Sequence, residues 1–231
     1  MKPRYAVYFS PCTTSPWWAF GASWLGRDEG HNTRLAQPDI AHITPAEFEH
    51  ATEEPRRYGF HATLKAPFYL KDNMGLQELK QRLTTLAAQL QPVELGALSA
   101  VSMKDFVALV PQTMSVRLSA LAEKCVTGLD DFRAPLTALE IARRRVDPKD
   151  TRGQFLLNNY GYPHVLERFI LHFTLSGSVL PQVADHLVRA AMSPIGQLNQ
   201  SAPLVLDRLC LFVEEEQGQP FTRIADMVLT G

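Results

Sequence analysis

A stretch that occurs twice in variant form decides the fold. Its first copy reads Arg-Tyr-Gly-Phe-His-Ala-Thr-Leu-Lys-Ala-Pro-Phe-Tyr at residues 57–69, and its second reads Arg-Phe-Ile-Leu-His-Phe-Thr-Leu-Ser at residues 168–176. Apolar and polar side chains alternate in both copies, which is typical of a β-strand with one buried face. Each copy places a histidine and, two residues later, a threonine on the polar face.

The segments that follow each copy repeat the same order of elements. Apolar residues at helical spacing follow the first copy over 76–90 and the second over 183–198. Each helix precedes another predicted strand, at 101–110 and at 205–213. The shared order, together with the shared histidine and threonine, indicates an internal duplication with copies at about 57–111 and 168–214. No flexible linker separates the copies, so we expect one domain over residues 1–231.

The remaining segments complete an α+β pattern. Short apolar runs predict a first strand at 5–9 and a closing hairpin with strands at 211–214 and 221–229. Helical patterns occur at 17–25, 116–126, 136–144 and 152–160, and Gly161 is placed to end the last of them. Thr44 followed by Pro45 is typical of a helix start.

Composition excludes several classes of protein. The chain has 23 basic against 24 acidic residues and a formal net charge of −1, so no global footprint for a long polyanion is present. Cys12, Cys125 and Cys210 lie far apart, which favours neither a zinc knuckle nor a disulfide framework and fits a reducing compartment. Because no run approaches the roughly 20 apolar residues of a membrane span, we expect a cytoplasmic protein without a membrane segment.

The polar faces of the two repeated strands carry the candidate catalytic groups. These are His61, Thr63 and Lys65 on the first strand and His172, Thr174 and Ser176 on the second. Two imidazoles across a cleft can cleave a phosphodiester, because a neutral ring accepts a proton from water while a protonated ring gives one to the leaving oxygen. Threonine hydroxyls can donate to the nonbridging phosphate oxygens. We predict His61 and His172 as the acid–base pair, Thr63, Thr174 and Lys65 as phosphate ligands, and no metal or other cofactor.

The two motifs also resemble those of a known superfamily. The pair His61-Ala62-Thr63-Leu64 and His172-Phe173-Thr174-Leu175 is similar to the twin His-x-Thr-x motifs of the two-histidine (2H) phosphoesterases. Residues 4–9, 24–28, 58–68 and 161–163 resemble more closely a bacterial subfamily found with phosphonate-utilisation genes. The resemblance implies a bilobal, LigT-like α+β fold, in which two antiparallel sheets with flanking helices are related by a pseudo-twofold axis. It also implies a catalytic cleft between the lobes and the two histidines and two threonines as the active quartet.

Several further residues are candidates for contacts with substrate. Tyr8, Tyr160, Tyr162 and Ser176 are predicted to line the site, although Tyr160 stands where the subfamily resemblance implies tryptophan. The run 143–145 is Arg-Arg-Arg at the end of a predicted helix, and we interpret it as a set of cations that interact favourably with the helix dipole.

The sequence leaves three functions open. The preferred one is hydrolysis of a small, cyclic phosphodiester to a monoester, in phosphonate metabolism. The alternatives are processing of 2′,3′-cyclic or 2′–5′ linkages at an RNA end, and a module that binds a nucleotide or phosphate ligand without turnover. Beyond Lys65 and either Arg57 or Arg168, no basic residues accompany the motifs. We therefore expect a monomer with a small phosphorylated substrate and no extended nucleic acid, with an RNA terminus as the alternative partner.

Overall fold

The computed structural model describes residues 2–231. The helices in this part of the chain are α1 Pro16–Leu25, α2 Pro45–Ala51, α3 Glu53–Arg56, α4 Leu76–Ala87, α5 Val116–Thr127, α6 Ala138–Arg143, α7 Thr151–Tyr160 and α8 Pro181–Ser201. The strands are β1 Arg4–Phe9, β2 Arg27–Asp28, β3 Thr33–Arg34, β4 Ala62–Tyr69, β5 Val93–Glu94, β6 Leu98–Met103, β7 Phe106–Pro111, β8 Phe173–Thr174, β9 Val205–Leu206, β10 Arg208–Glu214 and β11 Thr222–Val228. The predicted α+β class is confirmed.

Seven strands form one antiparallel sheet in the order β11-β10-β1-β4-β8-β7-β6. The prediction of two separate sheets is not confirmed, because β4 and β8 pair directly and join the strands of both motifs. This join consists of a single pair, Ala62 with Phe173, and is therefore the narrowest part of the sheet. The pairs β2–β3 and β5–β9 form two small additional sheets.

One face of the sheet packs against helices and forms the main core. Helix α4 lies against β10 and β11, α8 lies against β6 and β7, and α5 lies against β4. The predicted apolar faces of the two motifs are confirmed over residues 60–64 and 171–175, since Phe60, Ala62 and Leu64 in the first and Leu171, Phe173 and Leu175 in the second are all buried. Burying one such large side chain contributes about 1.5–3 kcal/mol. This packing holds the polar faces of both motifs toward the opposite side of the sheet.

The second motif forms far less strand than its sequence pattern predicts. The pattern over residues 168–176 predicts one strand, but only Phe173–Thr174 pairs, and Leu166–Arg168 is a 3-10 turn. Beyond Thr174 the chain leaves the ladder, because the amides of both Leu175 and Ser176 donate to the same carbonyl, that of Val107. A regular ladder gives each carbonyl its own partner, so this shared acceptor marks the end of the strand.

Two other predicted strands also differ from the structure. The segment 101–110 is a hairpin of β6 and β7, which turns at Lys104, a residue with a φ of 59°. The segment 205–213 divides into β9 and β10, which belong to different sheets.

The predicted helices and the closing hairpin are confirmed with small shifts of their ends. Helix α1 begins at Pro16, one residue after Ser15, whose side chain accepts from the amide of Trp17. Helix α7 ends at Tyr160 and is capped by Gly161, which adopts the left-handed conformation with a φ of 76°. Strands β10 and β11 pair as the predicted C-terminal hairpin.

Candidate active site

The pairing of β4 with β8 brings the two motifs side by side. Because the strands are antiparallel and Ala62 pairs with Phe173, one step in either direction sets His61 opposite Thr174 and Thr63 opposite His172. Side chains directly opposite on neighbouring strands have their Cβ atoms about 4.5–5.5 Å apart. Each motif therefore presents its histidine to the other motif's threonine.

Both histidine rings are oriented by the same local hydrogen bond. Nδ1 of His61 lies 2.9 Å from the carbonyl oxygen of Gly59, and Nδ1 of His172 lies 2.9 Å from the carbonyl oxygen of Ile170. A carbonyl only accepts, so Nδ1 carries the proton in each ring and Nε2 is left for chemistry. In the first motif, Oγ1 of Thr63 lies 3.3 Å from His61 Nε2 and can donate to it. In both motifs, the histidine ring contacts the carbonyl oxygen of the residue two positions before it, which agrees with the repetition in the sequence.

Tyr8 forms a platform for the first histidine. The ring centroids of Tyr8 and His61 are 3.8 Å apart with an angle of 28° between the planes, a stacked arrangement. Tyr8 is itself buried between His61 and Phe212, and burial raises its pKa well above the usual range. The phenol therefore stays protonated, and the stack fixes the plane of the imidazole.

The surroundings of His61 keep its ring neutral at pH 7. The pKa of His61 is lowered to about 4, mainly by burial and in smaller part by the nearby His172, against the raising effect of the hydrogen bond to Gly59. Removal of a charged group from water favours its neutral form, which for histidine is the form that accepts a proton. His61 is therefore suited to act as a base.

A cavity of about 630 Å³ opens on this face of the sheet. Of the residues predicted from sequence, the cavity is lined by His61, Thr63, Thr174, Tyr8, Tyr162 and Ser176. His172 lies beside it, with its ring centroid 6.0 Å from that of Phe106, which lines the cavity. The structure thus brings the four motif residues to one place, while their catalytic role stays a prediction.

Lys65 does not share the polar face of the first motif, contrary to the alternation argument. Its side chain is 3% exposed, and Nζ donates to the carbonyl of Val126 and to Asp130 Oδ1, each at 3.0 Å. The reason is an irregularity in the β1–β4 register, in which Val7 pairs with Lys65 but the next residue pairs with Thr63. The extra residue in β4 turns Lys65 away from the cavity.

Ser176 and Tyr160 are also less available than predicted. The Ser176 hydroxyl is buried, accepts a hydrogen bond from the amide of Val107 and donates one to the carbonyl of Gly177. Its proton is therefore already donated to a backbone group and is not free to bind substrate. Tyr160 does not line the cavity and packs against a small cluster that contains Leu156.

This chain is similar to one known protein family and to two curated proteins. The family described as "Protein of unknown function (DUF1045)" matches residues 63–222, which begin at Thr63 of the first motif and include the whole of the second. The chain belongs to this family. A curated relative from Janthinobacterium sp. (strain Marseille), named Ribose 1,5-bisphosphate phosphokinase PhnN, is 36% identical over 221 residues, which cover 94% of this chain and 49% of the relative. A relative of the same name from Laribacter hongkongensis (strain HLHK9) is 33% identical over 219 residues, covering 94% and 50%.

The chain therefore spans about half the length of the curated relatives it matches. These matches confirm the resemblance to the phosphonate-associated 2H subfamily. Among residues 2–231, no helix combines the length and the apolar character needed to cross a membrane.

The wall of the cavity contains a group of arginines, of which sequence reasoning had placed only Arg57 near the motifs. Arg4, Arg57, Arg143 and Arg144 all line it. Arg4 and Arg57 form ion pairs with the same carboxylate, that of the buried Glu214. Arg168, the other basic residue considered from sequence, instead pairs with Asp150 and does not line the cavity.

Proposed function

We propose that this DUF1045 family member is a metal-independent phosphodiesterase of the 2H type, which hydrolyses a small cyclic phosphodiester to a phosphomonoester. The observation that carries the proposal is the cross-pairing of the motifs, which sets each histidine opposite the other motif's threonine beside one cavity. In this proposal the two arms of the sheet on either side of that pair are the lobes of a 2H fold, and the cavity is the catalytic cleft.

The lowered pKa of His61 suggests how the two histidines divide the roles. His61, whose pKa is lowered to about 4, takes a proton from water as the water oxygen attacks phosphorus. The bond from phosphorus to the leaving oxygen breaks, and the protonated ring of His172 gives that oxygen a proton. Thr63 and Thr174 donate to the nonbridging oxygens as negative charge develops on them. The net reaction adds one water across one phosphoester bond.

The relatives favour a small phosphorylated sugar as the substrate. Their printed name describes a phosphokinase of ribose 1,5-bisphosphate, a sugar with two phosphates. Opening a cyclic phosphate on a sugar that already carries a phosphate gives a sugar bisphosphate. This relation, together with the net charge of −1, supports a place in phosphonate metabolism over the processing of RNA ends.

The pH dependence of kcat/KM should show the low pKa of His61. We expect its acid limb near pH 4, because activity is lost when the base becomes protonated as pH falls through its folded-state value. At pH 5, about nine-tenths of a base with a pKa near 4 is neutral, against about 3% for a histidine at its unperturbed pKa of about 6.5. Steady-state kinetics from pH 4 to 8, with circular dichroism at each pH to verify folding, measures this. An acid limb near 6.5 would contradict the role given to His61.

The substrate class can be tested with matched cyclic phosphates. We expect turnover of ribose 1,2-cyclic phosphate or a mononucleoside 2′,3′-cyclic phosphate with EDTA present, and a lower kcat/KM for an RNA oligomer with a 2′,3′-cyclic end. A protein that grips a single strand shows affinity falling as about the 0.7 power of salt concentration per phosphate contacted, whereas a small substrate should show a shallow dependence. A strong preference for the oligomer with a steep salt dependence would favour the RNA-end alternative. Absence of turnover on every substrate would favour the binding module.

A further inference from the structure

Two of the four cavity arginines have no carboxylate partner within the described residues 2–231. Arg143 and Arg144 line the cavity that also contains His61 and Thr174, but neither forms an ion pair in that part of the chain. Arg4 and Arg57 line the same cavity and share Glu214. The positive charges of Arg143 and Arg144 are therefore the ones left to bind a ligand.

The carboxylates in the wall of the cavity, Glu54, Asp105 and Glu140, form no ion pair with either arginine. Glu140 accepts from the hydroxyl and the amide of Thr137 in a helix-capping contact. Asp105 accepts from the hydroxyl of Ser178 at 2.7 Å. Glu54 borders Gly177, a residue of the loop that follows β8.

Arg144 is positioned by an aromatic ring that is itself fixed. Its guanidinium carbon lies 5.0 Å from the centroid of Tyr162, a distance at which cation and ring attract. Tyr162 lines the cavity and packs against the cluster of Val126, Leu156 and Val165. Such a face contact leaves the edge of the guanidinium plane, where its N–H groups lie, available for an anion.

Arg143 lies at the end of helix α6, and none of the side chains of this helix is buried. The side chain of this arginine is therefore not consumed by the core. The cavity of about 630 Å³ lies within the range of about 300–1,000 Å³ that is typical of sites for drug-sized ligands. A phosphate bound at the histidine–threonine quartet therefore leaves space for more of the substrate.

We propose that Arg143 and Arg144 form a subsite for a second phosphate, a phosphomonoester on the part of the substrate remote from the scissile diester. A guanidinium group matches the oxygens of a phosphate through paired, charge-assisted hydrogen bonds, and both of these arginines line the same cavity. The identity of the group that is hydrolysed rests on the proposed function, but the subsite requires binding alone. The substrate class is then a phosphorylated small cyclic phosphodiester, and the product carries two phosphomonoesters.

The kinetic test compares ribose 1,2-cyclic phosphate with its 5-phosphorylated form. We expect the wild-type enzyme to prefer the 5-phosphorylated form by about ten- to a hundredfold in kcat/KM, the size expected for hydrogen bonds to a charged group. Arg143→Gln and Arg144→Gln should remove most of this preference. Arg145→Gln is the matched control, since Arg145 is adjacent in sequence and does not line the cavity, and it should keep the preference. An unchanged preference in the Arg143 and Arg144 variants, or an equal loss in the control, overturns the subsite.

A binding measurement separates the subsite from the chemistry. Ribose 5-phosphate has the remote monoester but no diester, and calorimetric titration should give a Kd that Arg144→Gln raises about tenfold or more and Arg145→Gln leaves unchanged. If this dependence appears while no cyclic phosphodiester is hydrolysed, the proposed function fails and the subsite stands. If ribose 5-phosphate binds all variants equally, or does not bind the wild-type protein, the subsite is overturned whatever the outcome of the assays.

Discussion

Replacing either motif histidine by alanine, in His61→Ala or His172→Ala, is expected to lower kcat/KM by about two or more orders of magnitude, because general acid–base catalysis contributes about 10²–10⁴-fold. The loss should exceed that from removing either threonine hydroxyl, in Thr63→Ala or Thr174→Ala. Each hydroxyl supplies one hydrogen bond to the phosphate, and we expect its removal to cost about one to two orders of magnitude, the size of a hydrogen bond to a charged group. Steady-state kinetics on the best cyclic phosphate substrate measures all four variants.

The control for these variants is a histidine outside the cavity. His50 lies on α2 with its side chain 86% exposed, so His50→Ala should keep wild-type kinetics. Thermal unfolding should show that the two motif variants remain folded, since their rings face the cavity side of the sheet and not the main core. Full activity in either motif variant would end the two-histidine mechanism. A parallel loss in His50→Ala would show that the assay reports something other than the site.

The quartet could be predicted from sequence because alternation and duplication act locally. The apolar residues at 60, 62 and 64 and at 171, 173 and 175 are buried as the pattern indicates, and this fixes the opposite orientation of both histidines and both threonines. What the pattern does not contain is the register between β4 and β8. That register is set by packing between residues distant in sequence, here the pair Ala62 and Phe173 and the stacking of Phe60 on Phe173 at 4.9 Å.

The same long-range packing explains the residues that sequence reasoning placed wrongly or missed. The irregular register between β1 and β4, which turns Lys65 inward, leaves no sign in a sequence that alternates through residue 66. The run at 143–145 is consistent with a solvated helix end, and only the position of α6 beside the cavity gives Arg143 and Arg144 access to a ligand. The sequence feature that could have indicated this role is the run of three arginines in a chain of near-zero net charge. Such a run is stronger evidence of anion binding when a phosphate site is predicted elsewhere in the same chain.

The inward turn of Lys65 predicts a large loss of stability in a variant outside the cavity. Asp130→Ala should lower the free energy of unfolding by about 3–5 kcal/mol, the usual cost of removing one partner from a buried ion pair. The variant leaves the buried Lys65 ammonium with the carbonyl of Val126 as its remaining acceptor. It also removes the carboxylate that accepts two hydrogen bonds from Arg133. Urea denaturation of the variant and the wild-type protein measures the difference.

A second substitution should restore part of this stability. Lys65→Met in the Asp130→Ala background removes the unpaired ammonium charge and fills a similar volume. We therefore expect the free energy of unfolding to recover by about 2 kcal/mol or more in a double-mutant cycle. Lys65→Met alone should have a small effect on stability, because Asp130 still pairs with Arg133. It should also keep wild-type kcat/KM. A tenfold loss of activity in this folded variant would return Lys65 to the list of phosphate ligands.

The stability of Asp130→Ala should also depend on pH, with a sign that identifies Lys65 as the cause. Burial lowers the pKa of Lys65, and Asp130 opposes that effect, so removing Asp130 lowers the folded-state pKa further. Between that value and the unfolded pKa of about 10.4, the unfolded chain binds more protons than the folded one, and stability therefore rises with pH. The deficit of Asp130→Ala relative to the wild-type protein should shrink as pH increases toward 10. In Lys65→Met/Asp130→Ala, which has no amine at position 65, this pH dependence should be absent, and its persistence would place the titrating group elsewhere.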